Sequence, residues 1–264
     1  METPLRSCGA GLTLAPLAGD IATNARDIIS AADFIPPGPS IPKLRAAAKG
    51  CRGCDLYKLG TQTVFGEGPS RARIVVVGEQ PGDAEDRAGR PFVGPSGKLL
   101  DKAFDEAGID RDDVYVTNAV KHFKWAKDAR SERRIHKTPN AGEVRACRPW
   151  LEAELALIKP DVIVCLGATA SKSLLGRTFS LMKHRGEALD SEWAPVVFAT
   201  VHPSAVLRSP RDDRARAEEL FIADIREVAR HLSKAKRRAR KLSPWPTTAR
   251  RSRTSNAATR SSRR

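Results

Sequence analysis

Four apolar, β-branched runs mark the chain, and each stops at a short polar motif. Ile74-Val75-Val76-Val77 leads into Gly78-Glu79-Gln80-Pro81-Gly82, and Val114-Tyr115-Val116 leads into Thr117-Asn118. Val162 to Leu166 leads into Gly167-Ala168-Thr169, and Val196 to Val201 leads into His202-Pro203-Ser204. Strands covered on both faces read as continuous apolar runs of this kind, and parallel sheets are covered that way. Between the runs the period lengthens: Leu99, Leu100, Ala103, Phe104 and Ala107 share one face of a helix over 95–107, which Gly108 stops. Further helices are predicted before Cys51 and over 142–157, 169–175 and 211–232. Such alternation implies right-handed βαβ units, hence an α/β class with three layers, α/β/α, around a four-stranded, mostly parallel sheet. Ligands of open α/β sheets bind beyond the carboxyl ends of the strands, which gathers Glu79, Asn118 and His202 around one pocket. Periodicity fails between Phe123 and Pro139, where basic residues cluster, so this stretch reads as a long exposed loop with a functional role.

Composition adds two flanks to this unit. Of 264 residues, 41% are hydrophobic, enough for a core, and the α/β domain is placed at 43–232. Residues 233–264 carry twelve Lys or Arg and no acid, and subtracting them from the formal +15 leaves only +3 for the rest. That composition predicts a disordered basic tail that can hold nucleic-acid phosphates through counterion release. Residues 1–42, rich in Ala, Gly and Pro, are expected to be a disordered N-terminal extension. No secretory signal or membrane-spanning run is evident, which points to a cytoplasmic, bacterial-type, nucleoid-associated protein with no membrane partner.

The five cysteines then favour metal or redox chemistry over a disulfide framework. Cys51 and Cys54 form a CxxC. Cys165 lies within an apolar strand and reads as a core thiol, while Cys8 sits in the N-terminal extension. By elimination Cys147 is the third ligand and His122, just past a strand end, the fourth, a set that suits zinc or an iron-sulfur cluster. The glycine-rich turns match neither GxxxxGK[ST] nor GxGxxG, which removes P-loop and Rossmann nucleotide binders.

Taken together, Gly78-Glu79-Gln80-Pro81-Gly82, Arg90-Pro91-Phe92-Val93-Gly94 with Gly97, Thr117-Asn118 and Val201-His202-Pro203-Ser204 resemble the uracil-DNA glycosylase superfamily, in particular its iron-sulfur family 4 branch. The similarity runs from about Cys51 to Ile225 and implies a 4Fe-4S cluster as cofactor. Arg133-Arg134-Ile135-His136-Lys137-Thr138-Pro139 looks like the loop of UdgX-type glycosylases, and Val120-Lys121-His122-Phe123-Lys124 resembles the same subgroup. That resemblance implies covalent attachment to uracil-containing DNA through His136, and Glu132 departs from it where a lysine is expected.

These resemblances translate into roles. A buried base must be flipped out before its glycosidic bond can be reached. Phe92 is placed to stack on the flipped pyrimidine, and Asn118 to read its edge with one donor and one acceptor. His202 is placed to donate to uracil O2 as negative charge develops on the leaving base. Gln80 and Asp83 complete the substrate side. Glu79 faces the sugar, where it can take a proton from His136 as the imidazole, a better nucleophile than water, bonds to C1′. Arg133, Arg134, Lys137, Ser204 and Arg208 are expected on DNA phosphates, and Ala205, Val206 and Leu207 form a small apolar wedge. The expected partner is uracil-containing DNA, single strands preferred, and the expected state a monomer. The alternatives are a turnover family 4 glycosylase and a non-catalytic iron-sulfur DNA-binding protein.

Overall fold

The computed structural model describes residues 30–242. Cys8 with the rest of 1–29, and the tail from 243 to 264, lie outside the described residues. In chain order the elements are α1 (Ile41–Ala48), β1 (Ile74–Gly78), α2 (Asp83–Ala88), α3 (Pro95–Ala107), β2 (Val114–Asn118), β3 (Trp125–Lys127), β4 (Arg134–His136) and α4 (Ala141–Ile158). They continue with β5 (Val162–Leu166), α5 (Ala168–Leu175), β6 (Ala188–Leu189), β7 (Val196–Thr200), α6 (Pro203–Leu207) and α7 (Arg211–Leu242).

The main sheet has the order β2-β1-β5-β7-β6, parallel throughout except for the antiparallel pairing of β6 with β7. The predicted four-stranded parallel sheet is therefore present, extended by a two-residue edge strand too short to leave a periodic signal. Strand alternation divides the core. Ile74, Val76, Val114, Val164 and Phe198 pack against α3, α6 and α7, whereas Val75, Val77, Tyr115, Ile163 and Val197 pack against α4 and α5. Both faces are thus dry, which is why the strands are apolar without interruption.

Three expectations are corrected. Packed structure begins upstream of 43: Ser30 caps a 3-10 helix over Ala31–Phe34 that packs on α4, and α1 starts at Ile41 behind its cap Ser40. At the other end α7 continues to Leu242, past the expected boundary at 233, because Lys, Arg and Ala sustain a helix well. The stretch from Phe123 to Pro139 is no structureless loop but a hairpin, with Trp125 opposite His136 and Lys127 opposite Arg134. Its strands of three residues each are too short for alternation to be read.

Candidate active site

The chain runs from β1 outward to β2 and then returns to the other side of β1 to form β5. A crevice opens at such a reversal, and here a cleft of about 1090 Å³ opens there. Glu79, Gln80, Phe92, Asn118, His136 and His202 all line it, so the structure gathers the residues the motifs single out.

One wall is set by close approach. Asn118 ends β2 opposite Gly78, and a Cβ at Gly78 would fall 2.3 Å from Asn118 Oδ1 and 2.8 Å from the Phe92 ring. Only glycine lets the carboxamide and the ring crowd the end of β1. Phe92 itself takes a left-handed backbone, φ 55°, and a Cβ at Gly97 would fall 1.7 Å from its carbonyl oxygen. Glu85 joins the first two motifs, accepting from Gly82 N at 3.1 Å and Gly94 N at 2.7 Å. The Phe92 ring stacks toward His202, centroids 6.3 Å apart with 25° between planes.

His202 sits at the carboxyl end of β7 as the cap of α6. Its Nδ1 accepts from Ser204 N at 3.1 Å and lies 2.9 Å from Ser204 Oγ. A backbone N–H can only donate, so the ring proton resides on Nε2, the nitrogen left to donate to a ligand. Burial pushes the His202 pKa down to about 4, which keeps this donor neutral at pH 7. Ser204, expected on a DNA phosphate, orients His202 through its backbone N–H. Val206 is 2% exposed and belongs to the core, so it cannot serve as a wedge; α6 turns it inward while Ala205 and Arg208 face out.

Opposite stands the hairpin. His136 Nε2 lies 2.9 Å from Glu79 Oε1, and Thr169 Oγ1 donates to Glu79 Oε2 from the first turn of α5. Burial alone would raise the Glu79 pKa, but the bonds from His136 and Thr169 outweigh it and hold the carboxyl below its usual range. Gln80, expected on the substrate, lines the cleft and bonds the hairpin: it accepts from Lys124 N at 2.9 Å and donates to Lys137 O at 3.1 Å. Arg134, expected on a phosphate, is instead the hairpin's anchor. Its guanidinium pairs with Asp83 and with the fully buried Asp86, and lies over Phe123 and Trp125. Asp83, expected on the substrate side, lines the cleft while pairing with Arg134 and Arg87. Arg133, Lys137 and Arg208 remain exposed and form no ion pair with a described residue, as phosphate contacts require. Glu132, the departure from the expected lysine, pairs with Lys127 at 2.7 Å on the exposed side of the hairpin.

The cysteines converge in part. Cys51, Cys54 and Cys147 share one apolar cluster with Leu44, Leu56, Phe65 and Trp150, whereas Cys165 lies in a separate core layer. Trp150 Nε1 donates to Cys51 Sγ at 3.3 Å and Lys121 N to Cys147 Sγ at 3.2 Å. Burial pushes the Cys147 thiol up to about 12 and raises Cys54, so both sulfurs ionise only with a cation's help. Among the described residues no three such groups form a single-ion site. His122, the expected fourth ligand, instead places Nε2 2.9 Å from Thr63 Oγ1, and burial pushes its pKa down to about 4. Among the described residues the four expected ligands therefore do not close around one ion. N–H donors on sulfur within an apolar shell suit an iron-sulfur cluster, whose ligands stand on separate irons.

Motif reading missed Thr169, the carboxylate partners through which Arg134 places the hairpin, and the buried Lys121. The first had a signal, since Gly167-Ala168-Thr169 follows β5 as Glu79 follows β1. The others had none, because pairing of distant charges leaves no local pattern.

Residues 65–226 match the model of the uracil DNA glycosylase superfamily. Among similar proteins is a type-4 uracil-DNA glycosylase of Thermotoga maritima, 40% identical over 187 residues that cover 70% of this chain and 91% of the relative. A type-4 uracil-DNA glycosylase of Sulfurisphaera tokodaii is 36% identical over 198 residues, 72% of this chain and 85% of its own. That of Archaeoglobus fulgidus is 40% identical over 185 residues, 67% and 86% of the two chains. With the motif residues gathered in one cleft at the strand ends and the superfamily match spanning the sheet around it, the chain belongs to the uracil-DNA glycosylase superfamily.

Proposed function

We propose that this protein excises uracil from DNA and then joins the resulting sugar to itself through His136. The observation that carries the reading is the placement of His136 2.9 Å from Glu79 in the cleft that also holds Asn118 and His202. Asn118 reads the flipped base, and Phe92 packs against it. As the C1′–N1 bond breaks, its electron pair goes to the uracil ring, and His202 Nε2–H donates to O2 in a water-poor cleft where such stabilisation is commonly the largest catalytic contribution. The sugar becomes cationic at C1′. The lone pair of the His136 imidazole forms the new N–C1′ bond, and the ring proton passes to Glu79, held in place by Thr169. Arg133, Lys137 and Arg208 ground the strand by its phosphates. We take single-stranded DNA as the preferred substrate, a reading supported by the burial of Val206, which removes the central residue of the expected wedge. The same reading takes the protein as a monomer.

Cys51, Cys54 and Cys147, with His122 as fourth ligand after release from Thr63, would hold a 4Fe-4S cluster. Such a group next to α4 would brace the segment after β2, and no chemical step runs through it.

The competing reading is ordinary turnover, in which Glu79 orients a water toward C1′ and His136 only grips DNA; the type-4 relatives favour it. A labelled uracil-containing single-stranded oligonucleotide separates the two on a denaturing gel. A retarded band resistant to SDS, absent in His136→Ala while uracil release persists, is the expected result. Alkali-cleaved oligonucleotide with no retarded band from the wild type would establish turnover instead.

A further inference from the structure

Lys121 and Glu154 have no part in the chemistry above, yet both side chains are wholly buried and Nζ lies 2.6 Å from Glu154 Oε2. Burying an ion pair is costly, and well-packed apolar residues in its place are often as stable or more so. What the pair holds is therefore informative. Lys121 Nζ also donates to Thr117 Oγ1 at 2.6 Å and to the carbonyl oxygen of Asn118 at 2.8 Å. Glu154, reaching in from α4, accepts from Thr117 Oγ1 and from Tyr115 OH at 2.8 Å. Every hydroxyl and carbonyl in this network belongs to strand β2, whose final residue is Asn118.

The main chain of Lys121 is fixed as well. Its N–H donates to Cys147 Sγ at 3.2 Å and its carbonyl accepts from Val64 N at 2.8 Å. The ammonium is thus a rigid bracket between a core-anchored turn and the carbonyl of Asn118. On the opposite side Ala119 N and Val120 N donate to Gly78 O and Glu79 O at 2.9 and 3.0 Å. A carboxamide that reads a base edge must be held within about half an ångström of its productive position, and its backbone must be held first.

We propose that Lys121 and Glu154 are positioning residues for base recognition, acting through Asn118; this rests on the reading of Asn118 given above. The charge pair orders the end of β2 so that the Asn118 carboxamide faces the cleft. The backbone N–H of Lys121, bonded to Cys147 Sγ, ties the same turn to the cysteine cluster, so disturbance there reaches the base-reading group.

The test is the pair Lys121→Met with Glu154→Gln, which removes both charges together and leaves Tyr115 and Thr117 an acceptor. Thermal melting checks the fold. Single-turnover uracil release and half-saturating DNA concentration are measured on a uracil-containing single-stranded oligonucleotide, in wild-type and Asn118→Ala backgrounds. The expected result is release slowed about tenfold, the equivalent of one hydrogen bond, with half-saturation unchanged and no further slowing in the Asn118→Ala background. Release at the wild-type rate, or the same fractional loss in both backgrounds, would overturn the proposal. Should the paired variant not fold, Thr117→Val, which removes the hydroxyl both charges hold, carries the same prediction with a smaller loss. Asn118→Ala releasing uracil at the wild-type rate would refute the reading of Asn118 itself, a result distinct from failure of the bracket.

Discussion

Replacing Arg134 by methionine should release the His136 hairpin while leaving the domain folded. The guanidinium holds Asp83 and, at 2.6 Å, Asp86, whose side chain is fully buried. Asp86 keeps the shared N–H of Thr61, at 2.9 and 3.1 Å, but loses its only ion pair among the described residues. Breaking a buried pair from one side costs about 3–5 kcal/mol. The contact to half-exposed Asp83 adds little, and the stacking on Phe123 and Trp125 adds about 0.5–1 kcal/mol each. A hairpin of three-residue strands is not stable by itself, so the loss falls on its docking rather than on the sheet. About 3 kcal/mol corresponds to roughly a hundredfold in the docked population. Adduct formation on the denaturing gel should therefore slow by between about tenfold and a hundredfold, with uracil release nearly unchanged and trypsin cutting faster between Lys127 and Lys137. Undiminished adduct formation with the hairpin still protected would refute the anchor. Arg133→Met, on an exposed residue of the same hairpin, should instead lower DNA affinity and its salt dependence and leave proteolysis unchanged.

Burial holds His202 near pKa 4, below its ordinary 6.5, so the unfolded chain takes up the proton first as pH falls. The stability this group contributes is complete above about pH 6.5 and is lost toward pH 4, up to about 3 kcal/mol; urea unfolding across that window should show a shallower decline in His202→Asn, and identical curves would contradict it. Gly97→Ala would force a Cβ to within 1.7 Å of the Phe92 carbonyl. A backbone shift costing about 1–3 kcal/mol and loss of uracil release should follow, and a wild-type melting curve would show that the turn yields freely. Truncation after Ser233 removes twelve basic residues. DNA affinity should drop and its salt dependence flatten by about 0.7 per lost phosphate contact on single strands, and an unchanged slope would leave the tail no tethering role.

The α/β class, the parallel strands, the helix over 95–107 and the gathering of Glu79, Asn118 and His202 were all legible along the chain. Each follows from short-range rules. Apolar continuity marks a strand dry on both faces, and a motif at a strand's carboxyl end must point toward the same edge of the sheet. The hairpin between Phe123 and Pro139 was not legible, because its strands are too short for a period and are held by Arg134 to Asp83 and Asp86, about fifty residues upstream. The same distance hid the partners that Gln80, Asp83 and Arg134 find across the fold. Their residue types suited substrate or phosphate, and only the tertiary partners show that they also position the hairpin.

By itself the sequence determined that Glu79, Asn118 and His202 face one cleft, since motifs at the carboxyl ends of parallel strands share one edge of the sheet. Tertiary structure alone decided which of those side chains are free to act. A carboxylate, guanidinium or carboxamide binds whatever complementary group lies within about 3 Å, and distance across the fold is set by packing, not by order in the chain. Glu79 meets Thr169 and His136, Lys121 meets Glu154, and His122 meets Thr63 for that reason.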